Sequence, residues 1–206
     1  MIINIGTDAK FLDVRMMMKN ITYFEKTGLD NTEETIKLAY ERAVELGIRD
    51  IVVASTHGGT ALKAIQTFSD PKFNIVSVSI CEGYKSEGWA MSKEEREKLQ
   101  VKGVKVLTSV HALGDDVSSA FTEKFGGKSF NEVVAQTLYR FCQGMKVCVE
   151  VVLMAADAGL IGVDEEVIAI AGTGEGADTA IVVQPTYPRR FLDLMIKEII
   201  VKPREG

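Results

Sequence analysis

Six consecutive residues carry the clearest chemical signal in the chain: Ser55-Thr56-His57-Gly58-Gly59-Thr60. They follow an uninterrupted apolar run, Ile51-Val52-Val53-Ala54, and lead into a helical continuation, Ala61-Leu62-Lys63. Hydroxyls and glycines between a strand and a helix suit a phosphate monoester. Glycine admits the backbone close to an anion, and Ser and Thr donate hydroxyls. The helix N-terminus adds unpaired N–H groups at the positive end of its dipole. None of this requires Lys or Arg. The alternative is an ordinary Gly-rich turn closed by a threonine cap.

A second glycine cluster, Gly172-Thr173-Gly174-Glu175-Gly176-Ala177-Asp178-Thr179, lies between two strand-like runs. Glycines at alternate positions indicate backbone close to a ligand, or φ above zero. It is not a dinucleotide fingerprint, because a strand rather than a helix follows. The bland reading is a β-loop. Other residues at strand ends join the candidates. Tyr84, with Trp89 nearby, offers a ring that can stack on a flat ligand, although packing is the commoner use of each ring. His111 offers a ligand bond or an acid–base group, against the commoner structural hydrogen bond. Asn31 and Thr32 open a helix at the same end of the sheet.

Other arrangements carry less. Gln136, Gln143, Glu150 and Asp157 lie seven apart on a helical pattern, which reads as a solvated or interface stripe. Cys142 and Cys148 are six apart, roughly 120° round a helix, and form no metal pair. No nucleophile elbow of the form Gly-x-Ser-x-Gly exists, so Ser55, His57 and His111 make no hydrolase triad.

Composition bounds the rest. The 206 residues, 46% apolar and 26% charged, suit one globular domain. With 24 Lys plus Arg against 29 Asp plus Glu, the net charge of −5 argues against nucleic acid and anionic membrane as partners. Three widely set cysteines and two histidines give neither a disulfide framework nor a zinc cluster. No apolar run reaches the ~18 residues of a membrane span, and the N-terminus does not read as a signal peptide. A cytoplasmic location is expected.

The elements that must position these residues alternate. Residues 21–24, 51–54, 74–80, 104–108, 167–171 and 180–184 read as strands, and 191–201 as the region of a last one. A helix with Asp30 and Glu33 as its capping box stops at Gly47. Others run from 60 to 68, from the Ser92/Glu95 box to Gly103, and from 115 to 124. The Ser129/Glu132 box opens the longest pattern, apolar at threes and fours to Ala156, with a kink expected at Gly144. Strands alternating with helices predict a three-layer α/β/α sandwich with a mostly parallel, mixed sheet. Ligands of such sheets bind at the carboxyl ends of the strands. Residues 1–19 read as an extension, and 20–206 as the single α/β domain. The last strand, as an edge needing cover, makes a homo-oligomer plausible.

The 55–60 loop resembles a flavodoxin phosphate loop, with His57 where that family has a hydroxyl. The strand-loop-helix at 51–61, the apolar helix at 147–160 and the 172–179 loop resemble the C-terminal domain of pyruvate kinase. The chain is most similar to stand-alone pyruvate kinase α/β domain-containing proteins of archaeal type. Tyr23-Phe24-Glu25, Asn31-Thr32-Glu33-Glu34-Thr35, His111-Ala112-Leu113, Lys124-Phe125-Gly126-Gly127, Lys146-Val147-Cys148-Val149-Glu150 and Gly176-Ala177-Asp178-Thr179-Ala180 carry that likeness. It implies a phosphate-bearing small-molecule ligand, with flavin mononucleotide (FMN) the leading cofactor. Ser55, Thr56, His57, Gly58, Gly59 and Thr60 would hold the phosphate. Asn31, Thr32, Tyr84, His111, Gly172, Thr173, Gly174, Gly176, Asp178 and Thr179 would line the rest. The sequence departs from that family at His57, usually serine, and at Ile80-Cys81, usually near a histidine pair. Glu175, near a position where basic or bulky residues are common, would repel a second phosphate. The resemblance implies no pyruvate kinase reaction, whose metal and basic residues lie in another domain. The alternatives are a regulatory module for a sugar phosphate, and a flavin-dependent or hydrolytic enzyme using His111.

Overall fold

The computed structural model describes residues 18–205. All but the last two residues of the expected 1–19 extension lie outside that range. Seven strands and six α-helices follow along the described chain, alternating as far as β4: β1 (Thr22–Phe24), α1 (Thr32–Leu46), β2 (Asp50–Ala54), α2 (Gly59–Thr67), β3 (Asn74–Ser79), α3 (Lys93–Gln100), β4 (Lys105–Thr108), α4 (Val117–Phe125), α5 (Phe130–Leu138), α6 (Gln143–Asp157), β5 (Val167–Ala171), β6 (Thr179–Gln184) and β7 (Met195–Pro203).

The strands form one sheet in the order β1-β7-β6-β5-β2-β3-β4. Four pairings are parallel, and the two made by β6 are antiparallel. The chain is thus a three-layer α/β/α sandwich on a mixed, mostly parallel sheet. Period-two alternation assigns the layers. Val52, Val76, Ala169, Ala171 and Ile181 face α6. Ile51, Val53, Ile75, Ile168, Ile170 and Val182 face the layer of α1, α2 and α3. Buried on both faces, β2 and β5 show the continuous apolar runs that such strands require.

The last strand is not simply an edge. β1 covers β7 at Val201, Lys202 and Pro203, so among the described residues only 195–200 lack a neighbour on that side. Arg42, 8% exposed, fixes the same flank. Its Nε donates to Glu198 Oε2 at 2.7 Å, joining α1 to β7. That carboxylate holds the guanidinium far above its ordinary pKa.

Two expectations fail. Asp30 and Glu33 form no capping box: Asn31 is the N-cap of α1 and makes no side-chain cap bond. Instead its Nδ2 donates to Lys26 O at 2.7 Å, and Thr32 Oγ1 donates to Leu29 O at 2.6 Å. The long pattern from Ser129 is two helices rather than one. The capping box at Ser129/Glu132 is present, but α5 ends at Leu138, and Cys142 is fully extended (φ 176°, ψ 171°). The break therefore precedes Gly144, and the expected kink there is absent. No glycine or proline causes the break. A tertiary contact sets it: α6 starts where its first turn meets the start of β6. Cys142 Sγ lies 3.4 Å from Thr179 Oγ1. A Cβ at Gly144 would penetrate the Thr179 side chain and approach Asp178 Oδ1 at 3.2 Å. Without a Cβ, Gly144 lets the helix lie directly on the strand.

Gly144→Ala should therefore destabilise the protein by about 1–3 kcal/mol, the usual cost of overpacking a filled site. That corresponds to a melting temperature lower by roughly 3–10 °C for a chain of this length. An unchanged melting curve would contradict the contact.

Candidate functional site

The crossovers β2–α2–β3 and β3–α3–β4 lie on one face, whereas α6, which leads into β5, lies on the other. The sheet order therefore reverses between β2 and β5. This is the switch point at which open α/β sheets form a crevice. A cavity of about 600 Å³ opens there, at the carboxyl ends of β2, β3 and β5.

The first wall is the 55–60 loop. Ser55 is buried at the end of β2; its N–H donates to Val78 O, and its Oγ accepts from Ala61 N at 3.3 Å. Gly58 caps α2 in the left-handed region (φ 83°). It turns the chain so that Gly59 and Thr60 bring the helix N-terminus to the cavity. Ser55, Thr56, His57, Gly59, Thr60 and Lys63 all line it, while Gly58 does not. His57 is half exposed, and its Nδ1 lies 3.3 Å from Glu95 of α3. Glu95 is held below the usual carboxylate range, first by the Ser92 N–H and then by His57. Lys63 is engaged outward, with Nζ 3.1 Å from Glu33.

The second wall is the glycine loop after β5. Gly172, Gly174, Glu175 and Gly176 line the cavity, but Thr173, Asp178 and Thr179 do not. Asp178 is fully buried and organises the loop from behind. Its Oδ2 accepts from Gly28 N at 3.0 Å and Thr173 N at 3.2 Å, and its Oδ1 accepts from the Thr179 hydroxyl at 2.8 Å. Ala177 N donates to Thr32 Oγ1 at 3.0 Å. A Cβ at Gly176 would stand 2.8 Å from Leu29 Cα, so only glycine lets the loop close on the start of α1. Asp178 and Thr179, expected to touch ligand, instead fix the backbone that lines the cavity. Leu29 and Thr32 line the cavity, and Asn31 does not.

The third wall is α6, where Gln143, Lys146, Val147, Glu150, Val151 and Met154 share one face. Lys146 and Glu150 are both buried. Lys146 Nζ donates to Glu150 Oε2 at 2.6 Å, and Glu150 Oε1 accepts from Leu113 N at 3.0 Å. The seven-residue stripe is thus neither solvated nor continuous. Gln136 belongs to α5, and Glu150 is a buried partner in the cavity wall. The spacing 143, 146, 147, 150, 151, 154 is the signal that marks this face in the sequence.

His111 lines the cavity but is held at both ring nitrogens. Nδ1 donates to Asp115 Oδ2 at 2.6 Å, and Nε2 accepts from Cys81 N at 3.3 Å. Tyr84 is outside the cavity. Its hydroxyl donates to Asp115 Oδ1 at 2.7 Å, and its ring stacks on Trp89 with centroids 5.5 Å apart. Asp115, at φ 53°, itself lines the cavity and ties His111 to Tyr84. Among the described residues no three His, Cys, Asp or Glu side chains converge to hold a metal. No helix there is long and apolar enough to cross a membrane.

The chain is thus a doubly wound α/β protein with a cleft at the switch point of its sheet. The family model of the pyruvate kinase alpha/beta domain matches residues 33–183, and the chain belongs to that family. Among solved structures it is similar to two crystal structures of pyruvate kinase from Cryptosporidium parvum. One is 16% identical with a TM-score of 0.40, the other 15% identical with a TM-score of 0.38. Each likeness covers 75% of this chain, but only 23% and 22% of the pyruvate kinase chains. The chain therefore corresponds to less than a quarter of either enzyme.

Two measurements test this geometry. Asp178→Ala leaves two N–H groups and a hydroxyl unpaired and should cost at least about 3 kcal/mol, read as a lower urea midpoint. The Asp115 bond also pushes the Tyr84 hydroxyl up to about 12. A phenol raised in the folded state contributes stability below its ordinary value of about 10, and loses it as pH rises through about 12. Asp115→Ala should return the Tyr84 titration, followed by tyrosinate absorbance, toward about 10. An unmoved titration would refute the bond.

Proposed function

We propose that this protein binds a phosphate-bearing small molecule at the switch-point cleft, with FMN the ligand its residues suit best. The observation that carries this reading is the open N-terminus of α2 beside the hydroxyls of Ser55, Thr56 and Thr60, facing a cavity of about 600 Å³. Free N–H groups and the helix dipole bind a phosphate dianion without a dedicated cation. The volume falls within the roughly 300–1,000 Å³ of small-molecule sites. Val147, Val151 and Met154, with Val78 and Ile80, give an apolar surface on which a flat ring can rest. FMN when bound would supply redox chemistry; no reaction follows from the binding alone, and the phosphotransfer of pyruvate kinase is not assigned to this chain.

A sugar phosphate acting through a regulatory module is the second reading, favoured by the polar Gln143, Glu150 and Glu175 around the same cavity. Self-association belongs to the proposal as well. Val117, Phe121, Phe125 and Phe130 expose 61–92% of their surface, an apolar area that a second copy would cover. Light scattering would show a mass above that of one chain.

Gly59→Asp is the direct test. Gly59 has open space at its Cβ position and ordinary φ, and an acidic residue in the first turn suits the helix dipole. The fold should persist. The new carboxylate would occupy the anion position and lower FMN affinity at least about 100-fold, since like charges meet at close range. Fluorescence titration of added FMN reads the affinity, and the melting temperature reports the fold. The absorbance spectrum of fresh protein, with mass spectrometry of heat-released ligand, identifies what co-purifies. Equal affinity in Gly59→Asp would refute the phosphate assignment. A sugar phosphate that raises the melting temperature where FMN does not would favour the second reading.

A further inference from the structure

The cavity face of α6 is divided lengthwise. Gln143, Lys146 and Glu150, at spacings of three and four, form a polar stripe. Val147, Val151 and Met154, at four and three, form an apolar stripe beside it. The two stripes overlap within one stretch of about three turns, 143–154, so a planar group resting on the apolar stripe presents an edge to the polar one. The polar stripe is costly unless something uses it. Lys146 and Glu150 expose only 10% and 5% of their side chains. A buried ion pair contributes little net stability compared with apolar residues of the same size. Lys146 Nζ carries three donor hydrogens, and Glu150 is its only hydrogen-bond partner among the described residues. The Glu150 carboxylate accepts from Lys146 and Leu113 N, which leaves lone pairs on both oxygens. The stripe therefore holds spare donors next to spare acceptors.

The phosphate loop lies across the sheet edge from this stripe. Residues 55–60 lead into the α2 layer, whereas α6 covers the opposite face. A ligand that reaches both must span the edge, with its phosphate at one end and its planar part at the other. We infer that Lys146 and Glu150 read the far edge of the ligand as a carbonyl beside a ring N–H, the pattern of a cyclic imide or lactam. Lys146 donates to the carbonyl, and Glu150 accepts from the N–H. In FMN that edge is the pyrimidine end of the ring system, so the dimethylbenzene end points away from the Lys146–Glu150 stripe. This assignment rests on the proposed binding of FMN and names the group that selects it.

The test compares FMN with FMN methylated at the ring N3, which lacks the N–H and carries bulk in its place. Both are titrated against the wild type and against the double variant K146M/E150Q, which removes both charges together and strands neither. Melting curves without ligand check that the variant folds, and thermal protection by inorganic phosphate checks its 55–60 loop. The wild type should bind N3-methyl FMN at least about tenfold more weakly than FMN, since a hydrogen bond to a charged group is lost. The double variant should bind FMN about 10–100-fold more weakly and discriminate little between the two ligands. Equal affinity of the wild type for both flavins would overturn the edge assignment and leave FMN binding standing. Undiminished FMN affinity in the double variant would do the same. A wild type that is protected by phosphate but does not bind FMN would overturn the flavin reading, and this assignment with it. If the variant fails to fold, the wild-type comparison of the two flavins decides alone.

Discussion

The carboxyl edge of the sheet is organised around one buried carboxylate. Asp178 accepts N–H groups from Gly28 and Thr173 and the hydroxyl of its neighbour Thr179. These bonds join the turn before α1, the loop after β5 and the first residue of β6. Thr179 then sets where α6 can begin, because Gly144 must lie against it. A carboxylate excluded from water needs several donors to remain there, and three segments of backbone and side chain supply them. Two of the three cavity walls, the glycine loop and the start of α6, are therefore positioned by a group that never enters the cavity. The third wall needs no such hub. The 55–60 loop is fixed by β2 pairing and by the bond from Ala61 N to Ser55 Oγ.

This division explains which parts of the site were legible in the sequence. The 55–60 loop was readable because its chemistry and its geometry come from the same local stretch. An apolar strand, a glycine turn and a helix start determine one another within a dozen residues. The same local logic placed the Ser92/Glu95 and Ser129/Glu132 caps, the stop at Gly47 and the alternation of strands and helices. The mixed, layered sheet followed from that alternation. Glycine at alternate positions in 172–176 likewise marked a loop that must approach other backbone closely.

Misread features depend on partners distant in sequence. Asp178 resembled a ligand contact because a carboxylate in a glycine loop usually faces water or ligand; its donors include Gly28, 150 residues earlier. Tyr84 resembled a stacking platform, but its hydroxyl is taken by Asp115 and its face by Trp89. His111 was placed correctly on the cavity wall, and its commoner reading as a structural hydrogen-bonder also fits, since residues 81 and 115 engage both ring nitrogens. Periodicity ran through Tyr139, Arg140 and Phe141 without a breaker, since the force that ends α5 is the fit of α6 on β6. Glu150 counted as part of a solvated or interface stripe because one end of a buried ion pair looks like any surface glutamate until its helix is set on the sheet.

The electrostatics of the cleft follow from where its positive charge resides. Lys63, the basic residue closest in sequence to the 55–60 loop, is committed to Glu33 at 3.1 Å, and Glu175 stands on the opposite lip of the cavity. The positive charge beside the loop is thus the partial charge of N–H groups at the start of α2, fixed in direction and confined to the first turn. A field of that kind falls off quickly and, in the proposed binding, would serve one phosphate. A second phosphate carried a few ångströms farther out would leave the helix terminus and meet the Glu175 carboxylate instead. The acidic balance of the chain therefore works with the cleft. In the proposed binding, backbone dipoles would attract a single phosphoryl group at short range, while the Glu175 carboxylate would disfavour a ligand that carries more charge than the cradle can match.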